Sequence, residues 1–248
     1  MNYGPSTTPP VARGLLTAFA VVAGTVSTVV MGLYGVVTGL LPPRGRWSKG
    51  GARLWGRLIL WGCGARLRVE GADRIPAGQP VVFVANHESW LDIPALLAAI
   101  PVQVRFLAKQ SLFAVPFLGW AMWAMGFIPV DRRNRRQAVR SFEAAAARIR
   151  SGHSVLIFPE ESRAPDGVLQ AFQRGGFLIA MKAGVPIVPV GLEGPRRRLA
   201  KYCYLLDPGG IAVRFGEPLA TTGVALVDRE LLAEQARERV DALRRPAP

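Results

Sequence analysis

Residues 80–94 read PVVFVANHESWLDIP, and this stretch decides the fold. Residues 80–85 form a short apolar run, which is typical of a strand buried on both faces of a sheet. Pro94 suits the first turn of a helix, so residues 86–92 are predicted to form the turn between strand and helix. Open α/β sheets carry their sites at the carboxyl ends of strands, and this turn is therefore the first place to look for chemistry.

Similar runs recur on both sides of this strand, and helical patterns separate them. Further strands are predicted over residues 67–71, 127–130, 154–158, 185–190 and 211–215. Helices are predicted over residues 93–100, 136–150, 175–182 and 228–245. Strands that alternate with helices of this length favour an α/β fold with a mixed, largely parallel sheet flanked by helices on both faces.

The N-terminal quarter of the chain has the character of a membrane segment. Residues 14–41 carry no charge, and at about 1.5 Å per residue such a helix can cross a hydrocarbon core of roughly 30 Å. A cleaved signal peptide would have a shorter apolar core. Residues 47–67 mix tryptophans with arginines, which predicts an amphipathic helix at the membrane interface. The first segment either spans the bilayer or pairs with the second as a hairpin in one leaflet.

These observations divide the chain into a disordered N-terminus (1–11), membrane-anchoring helices (12–67) and an α/β domain (68–248). Arg44, Arg46 and Lys49 follow the apolar run, and this excess of positive charge favours the cytoplasmic side for the domain. In a bacterial cell the membrane would be the inner one.

The formal net charge is +14, from 31 basic and 17 acidic residues, and half of all residues are apolar. A basic surface attracts nucleic acid, anionic lipid headgroups or phosphorylated small molecules. The long uncharged run favours lipid and argues against nucleic acid. The two cysteines, Cys63 and Cys203, lack metal-ligand spacing, so we expect free thiols and no bound metal.

His87 and Asp92 are the candidate catalytic pair. On a regular helix they would point in different directions, but across a turn the aspartate can fold back and accept a hydrogen bond from the imidazole. The carboxylate would then fix the tautomer and leave the other ring nitrogen as a base. The alternative is a structural histidine beside a helix-capping aspartate. Since the sequence has no Gly-x-Ser-x-Gly elbow, the base would act directly on an acceptor hydroxyl.

Asn86-His87 followed by Asp92 resembles the Asn-His, four residues, Asp signature of the glycerolipid acyltransferase family. Four further blocks follow in that family's order: residues 109–119, 126–132, 158–163 and 185–190. The resemblance covers roughly residues 68–220 and is strongest to the 1-acylglycerol-3-phosphate acyltransferases. It implies transfer of an acyl group from acyl-CoA or acyl carrier protein to the sn-2 hydroxyl of lysophosphatidic acid, giving phosphatidic acid, with no cofactor beyond the acyl donor.

The resemblance also implies roles for individual residues. His87 would be the general base and Asp92 the residue that orients it. The acceptor would be bound by Lys109, Arg132, Glu160 and Arg163. Possible further contributors are Asn86, Gly119 and Ser162. An arginine offers a phosphate two parallel hydrogen bonds, which fits these assignments.

One departure affects the acceptor. This chain has Glu161-Ser162 where the family has Gly-Thr, and a glutamate adds negative charge beside the predicted phosphate site. Either the Glu161 side chain points into solvent, or the acceptor is a less anionic lysolipid such as a lyso-ornithine lipid. Glycerol 3-phosphate and a glycolipid intermediate are other acceptors to consider. A non-catalytic lipid-binding scaffold is the alternative outside enzymology, and the intact His–Asp pair argues against it.

Two further stretches have two interpretations each. The arginines of residues 132–140 either bind lipid headgroups or coenzyme A phosphates, or form a solvated helix face. The apolar residues 117–127 either belong to the core, or line a tunnel for an acyl chain or face lipid.

Overall fold

The computed structural model describes residues 7–40, 48–131, 135–163 and 166–245. The predicted cytoplasmic residues Arg44 and Arg46 and the predicted acceptor-binding residue Arg132 lie outside these segments. Within the described segments, seven strands form one sheet: β1 (Ala65–Glu70), β2 (Val82–Ala85), β3 (Val104–Lys109), β4 (Ile128–Val130), β5 (Ser154–Ile157), β6 (Ile187–Glu193) and β7 (Gly209–Phe215).

The strand order is β1-β7-β6-β2-β5-β3-β4. All neighbouring strands pair in parallel except β6 and β7, which run antiparallel. The predicted mixed, largely parallel sheet is therefore confirmed. Strand β2 lies between β5 and β6, so the turn that follows it opens at the middle of the sheet.

In the part of the chain that the structure describes, eight α-helices accompany the sheet: α1 (Pro10–Leu40), α2 (Ser48–Gly62), α3 (Asp92–Ala99), α4 (Leu118–Ala124), α5 (Arg135–Arg150), α6 (Gly175–Ala183), α7 (Pro195–Arg198) and α8 (Arg229–Arg244). The four helices predicted in the α/β domain are present as α3, α5, α6 and α8. Strand β3 and helix α4 were not predicted.

Both faces of the sheet are buried, as the apolar character of β2 predicted. Phe83 and Ala85 belong to a core that includes residues of α2 and α3. Val82 and Val84 point to the opposite face, where residues of α5, α6 and α8 cover them. Side chains alternate along a strand, so a strand covered on both faces has few polar positions in its sequence.

The N-terminal helices α1 and α2 run antiparallel, and both contact the α/β domain. Gly62 lies beside Ala23 and Gly51 beside Tyr34, so the two helices approach closely at small residues. Helix α1 is long and apolar enough to cross a membrane, and most of its outward side chains are exposed. Helix α1 begins at Pro10, within the segment predicted to be disordered. Strand β1 begins at Ala65, within the segment predicted to anchor the chain.

Candidate active site

The predicted contact between His87 and Asp92 is present. The imidazole Nδ1 of His87 lies 2.8 Å from Oδ2 of Asp92, and the aspartate side chain is 1% exposed. Helix α3 starts at Asp92, and the turn from β2 brings this residue back against the ring. A carboxylate at Nδ1 fixes the proton there and leaves Nε2 with its lone pair, which is the arrangement of a general base.

The Asp92 carboxylate also holds the turn itself. Its Oδ2 accepts hydrogen bonds from the backbone N–H groups of Glu88 at 2.7 Å and Ser89 at 2.9 Å. The structural interpretation of Asp92 and the catalytic one are therefore compatible, because one oxygen shapes the turn and orients the imidazole. A buried charge that accepts three hydrogen bonds is costly to remove.

The segment that follows β5 encloses His87. The Phe158 ring stacks on the imidazole with 4.1 Å between centroids and 19° between planes. Two residues later, Glu160 accepts a hydrogen bond from the backbone N–H of His87 at 2.7 Å through Oε1, and one from Gln170 at 2.9 Å through Oε2. Because β2 and β5 are parallel neighbours, their carboxyl ends meet, and the two sequence blocks form one site. In this structure Glu160 positions the histidine backbone.

Burial raises the pKa of the Glu160 carboxyl from 4.5 to about 7, against the opposing effect of its two backbone hydrogen bonds. Between these pH values the unfolded chain releases this proton while the folded protein keeps it. The free energy of unfolding should therefore fall by about 3 kcal/mol from pH 4.5 to 7 through this group. Denaturant unfolding of the wild type and Glu160→Gln across that range measures it, and parallel curves for the two proteins would contradict the assignment.

Asn86 and Glu88 connect the turn to distant parts of the chain. The Asn86 amide donates to the Leu192 carbonyl at 3.1 Å and accepts from the Leu192 N–H at 2.8 Å, which ties β2 to β6. Glu88 accepts from Asn86 and from Arg244 on α8. Arg244 also donates to the carbonyl of Gly167. Asn86 is thus a framework residue, and neither Glu88 nor Arg244 was predicted to contribute.

A cavity of about 770 Å³ opens at His87, and most of its lining is apolar. Helices α1 and α2 form one wall, with Met31, Trp55 and Ile59 among the lining residues. Met122 and Met125 line it from the stretch 117–127, whereas Trp120 and Trp123 of the same stretch are exposed on the outside. Met122 also belongs to the buried core, so the inner side of this stretch is both core and cavity lining, while its outer side presents tryptophans.

Basic side chains collect on the polar part of the same cavity. Lys109 at the end of β3 and Arg163 were predicted there, and Lys201 joins them without having been predicted. The Arg163 guanidinium lies over the Trp90 ring, 4.3 Å from its centroid. Arg140, from the predicted arginine cluster, is exposed on α5.

Ser162 and Glu161 line the cavity as well, and Glu161 has a left-handed backbone with φ of 59°. This conformation explains why glycine suits the position, since only glycine adopts it without strain.

At Gly119 a Cβ atom would lie 2.1 Å from the Phe113 carbonyl oxygen, so this glycine permits a close backbone contact. Both cysteines are free, as predicted. Across the described segments, no three His, Cys, Asp or Glu side chains cluster as metal ligands.

A model of the family described as Acyltransferase matches residues 66–193. A 1-acyl-sn-glycerol-3-phosphate acyltransferase of Pseudomonas aeruginosa is 31% identical over 218 residues, which are 84% of this chain and 79% of that protein. A chloroplastic 1-acyl-sn-glycerol-3-phosphate acyltransferase of Arabidopsis thaliana is 31% identical over 92% of this chain. The chain spans 63% of the length of that plant relative.

A solved structure has the same overall fold. The crystal structure of the 1-acyl-sn-glycerophosphate (LPA) acyltransferase PlsC from Thermotoga maritima superposes with a TM-score of 0.83 at 25% sequence identity. The match covers 96% of this chain and 98% of that one, so it includes the N-terminal helices as well as the sheet.

Proposed function

Because the chain belongs to the acyltransferase family, we propose that it transfers an acyl group from a thioester donor to the sn-2 hydroxyl of lysophosphatidic acid, giving phosphatidic acid. One observation carries the proposal: the His87–Asp92 pair lies at the junction of an apolar cavity and a group of basic side chains. The apolar part fits an acyl chain, and the basic part fits the phosphate of the acceptor.

The proposed reaction needs no covalent enzyme intermediate. His87 Nε2 takes the proton of the acceptor hydroxyl, whose oxygen attacks the thioester carbonyl carbon. The tetrahedral intermediate collapses, the carbon–sulfur bond breaks, and the imidazolium returns its proton to the thiolate that leaves. Asp92 stabilises the imidazolium between these two proton transfers.

The oxyanion of that intermediate requires hydrogen-bond donors. Backbone amides near the start of α3 are candidates, but three of them are already engaged in this structure. Asp92 accepts from the amides of Glu88 and Ser89, and the Leu91 amide donates to the Ser89 hydroxyl. These three amides are therefore not available to the oxyanion.

The acceptor and donor are tested together. Purified protein in detergent is offered lysophosphatidic acid, a lyso-ornithine lipid, glycerol 3-phosphate and monoacylglycerol, each with acyl-CoA and with acyl carrier protein as donor. We expect phosphatidic acid from lysophosphatidic acid, identified by mass spectrometry, and none from a parallel His87→Ala sample. Transfer only to the lyso-ornithine lipid would contradict the proposed acceptor while keeping the reaction type.

We place the protein at the cytoplasmic face of the inner membrane. Helix α1 supplies an apolar surface, and it contacts the α/β domain near both of its ends. Near the start of α1, Arg13 donates to the carbonyls of Leu205 and Leu206, and towards its end Gly35 lies against Ala121 of α4. This long contact supports a hairpin of α1 and α2 held against the domain. Protease digestion of the domain in inside-out but not right-side-out vesicles would agree with the orientation.

Glu161 should weaken the binding of a phosphate acceptor. Glu161 is exposed and lines the cavity that also holds Lys109 and Arg163. We expect Glu161→Gly to lower the KM for lysophosphatidic acid by about threefold, because it removes the repulsion between the carboxylate and the acceptor phosphate. The effect is modest because interactions between exposed charges are weak. The glycine variant should also be more stable, because the left-handed backbone at position 161 destabilises the protein by about 1 kcal/mol for a residue other than glycine.

The control for this prediction is Glu161→Gln, which removes the charge and keeps the backbone conformation. Steady-state kinetics and thermal unfolding of both variants separate the two effects, because only the glycine variant should gain stability. An unchanged KM in both variants would mean that the acceptor phosphate does not approach Glu161.

A further inference from the structure

The loop after α7 is fastened to the catalytic turn. Ser89 is fully buried, and its hydroxyl donates to the Leu199 carbonyl at 2.7 Å. Ser89 also forms an isolated antiparallel bridge with Ala200. The position of the next residue, Lys201, is therefore set by the same turn that carries His87 and Asp92.

This attachment brings Lys201 to the predicted phosphate site. The Lys201 ammonium donates to the backbone carbonyl of Arg163 at 3.0 Å, and both side chains line the cavity that contains His87. An ammonium has three N–H donors, and the Arg163 carbonyl accepts one of them. The ammonium is thus held at the wall of the cavity with capacity for a further acceptor.

Like the Lys201 ammonium, the Arg163 guanidinium has an N–H group left for a further acceptor. Its guanidinium lies over the Trp90 ring, which restricts its orientation. Its Nη1 is buried and has no hydrogen-bond partner among the described residues. A buried guanidinium nitrogen without an acceptor is costly, and an anion in the cavity would remove this cost. Two cations on one wall also repel each other until an anion lies between them.

We propose that Lys201 binds the phosphate of the acceptor together with Arg163. The inference rests on the proposed function and extends it to a residue outside positions 66–193, which the family model matches. Arg163 supplies planar donors, Lys201 supplies a compact charge beside them, and Trp90 keeps the guanidinium in place. A phosphate monoester with nearly two negative charges fits such a pair better than a zwitterionic headgroup does.

Lys201→Met tests the proposal, because methionine keeps an unbranched apolar stem and removes the charge. We expect the KM for lysophosphatidic acid to rise about tenfold, with kcat changed less than twofold. Lys201→Arg should restore most of the affinity. Lys182→Met is the matched control, since Lys182 is exposed on α6 and its loss changes the net charge equally. The KM for monoacylglycerol, which lacks the phosphate, should stay unchanged in all variants that show activity towards it.

A second measurement separates this proposal from the function on which it rests. Binding of 1-oleoyl lysophosphatidic acid to each variant, without an acyl donor, is followed by calorimetry in detergent. Weaker binding in Lys201→Met than in Lys182→Met supports the role of Lys201, even if the wild type acylates another acceptor. Equal binding by the two variants overturns that role and leaves the proposed reaction intact. Failure of the wild type to bind lysophosphatidic acid overturns both.

Discussion

Replacement of His87 by alanine should lower kcat/KM for acyl transfer by about two to four orders of magnitude, the range expected for loss of a general base. The ring has Asp92 at Nδ1 and Phe158 stacked on its face, and its Nε2 is the nitrogen left to act as the base. The fold should persist, because the backbone of residue 87 still donates to Glu160. Product formation by mass spectrometry and thermal unfolding of the detergent-solubilised protein measure the two effects.

The second histidine provides the control. His153 precedes β5, whereas His87 follows β2. Since these strands are parallel neighbours, His153 lies at the amino ends of the strands and His87 at the carboxyl ends. His153→Ala should therefore keep wild-type kinetics. Activity of His87→Ala within tenfold of the wild type would disprove the proposed mechanism.

Asp92→Asn should cost about three orders of magnitude in kcat with a smaller change in KM. The asparagine amide oxygen can take the place of Oδ2, where it still accepts from the backbone amides of Glu88 and Ser89 and from His87 Nδ1. The negative charge that stabilises the imidazolium is lost, and the amide NH₂ replaces Oδ1, which is buried without a hydrogen-bond partner among the described residues. Loss of a buried charged acceptor should also lower stability by about 2 kcal/mol.

The kinetic and stability effects of Asp92→Asn have to be separated. Asp73→Asn changes an exposed carboxylate between β1 and β2 and should alter neither. Circular dichroism and unfolding midpoints show whether the Asp92 variant is folded at the assay temperature. A folded Asp92→Asn protein with kcat within threefold of the wild type would rule out the orienting role.

Strand β2, the turn after it and helix α3 were predictable because neighbouring residues in the sequence indicate each of them. The run at residues 80–85 is apolar on both faces, and Pro94 marks the following helix, so strand, turn and helix were each evident. The contact between His87 and Asp92 then followed from the geometry of the turn. The resemblance to known acyltransferases added Glu160 and Arg163, which the neighbouring strand β5 brings to the same edge.

Strand β3 was missed because its sequence contains a charge that is buried. Arg105 is 6% exposed within the strand, and burial lowers the pKa of its guanidinium to about 10. An arginine inside a short apolar run breaks the pattern that marks a buried strand. The end of α2 was predicted too late for a related reason, since the alternating residues of β1 also contain arginines.

Residues far apart in sequence were the least predictable part of the site. Arg244 reaches Glu88 across 156 positions, and Leu199 accepts from Ser89 across 110 positions. Such contacts depend on the strand order and on the docking of α8 and the loop after α7. Lys201 has no local signal for this reason, although its place in the fold is fixed by hydrogen bonds.

Helix α1 has two surfaces with different neighbours. One lies against α2 and α4 and contributes Ala20, Met31 and Gly35 to the lining of the cavity, while the other presents apolar side chains outward. Deletion of this helix would thus leave the cavity as an open trough, and a truncated protein would not be a water-soluble version of the enzyme. On the proposed function, a bound acyl chain would be separated from the bilayer by the thickness of one helix, and membrane attachment and substrate enclosure would depend on the same 31 residues.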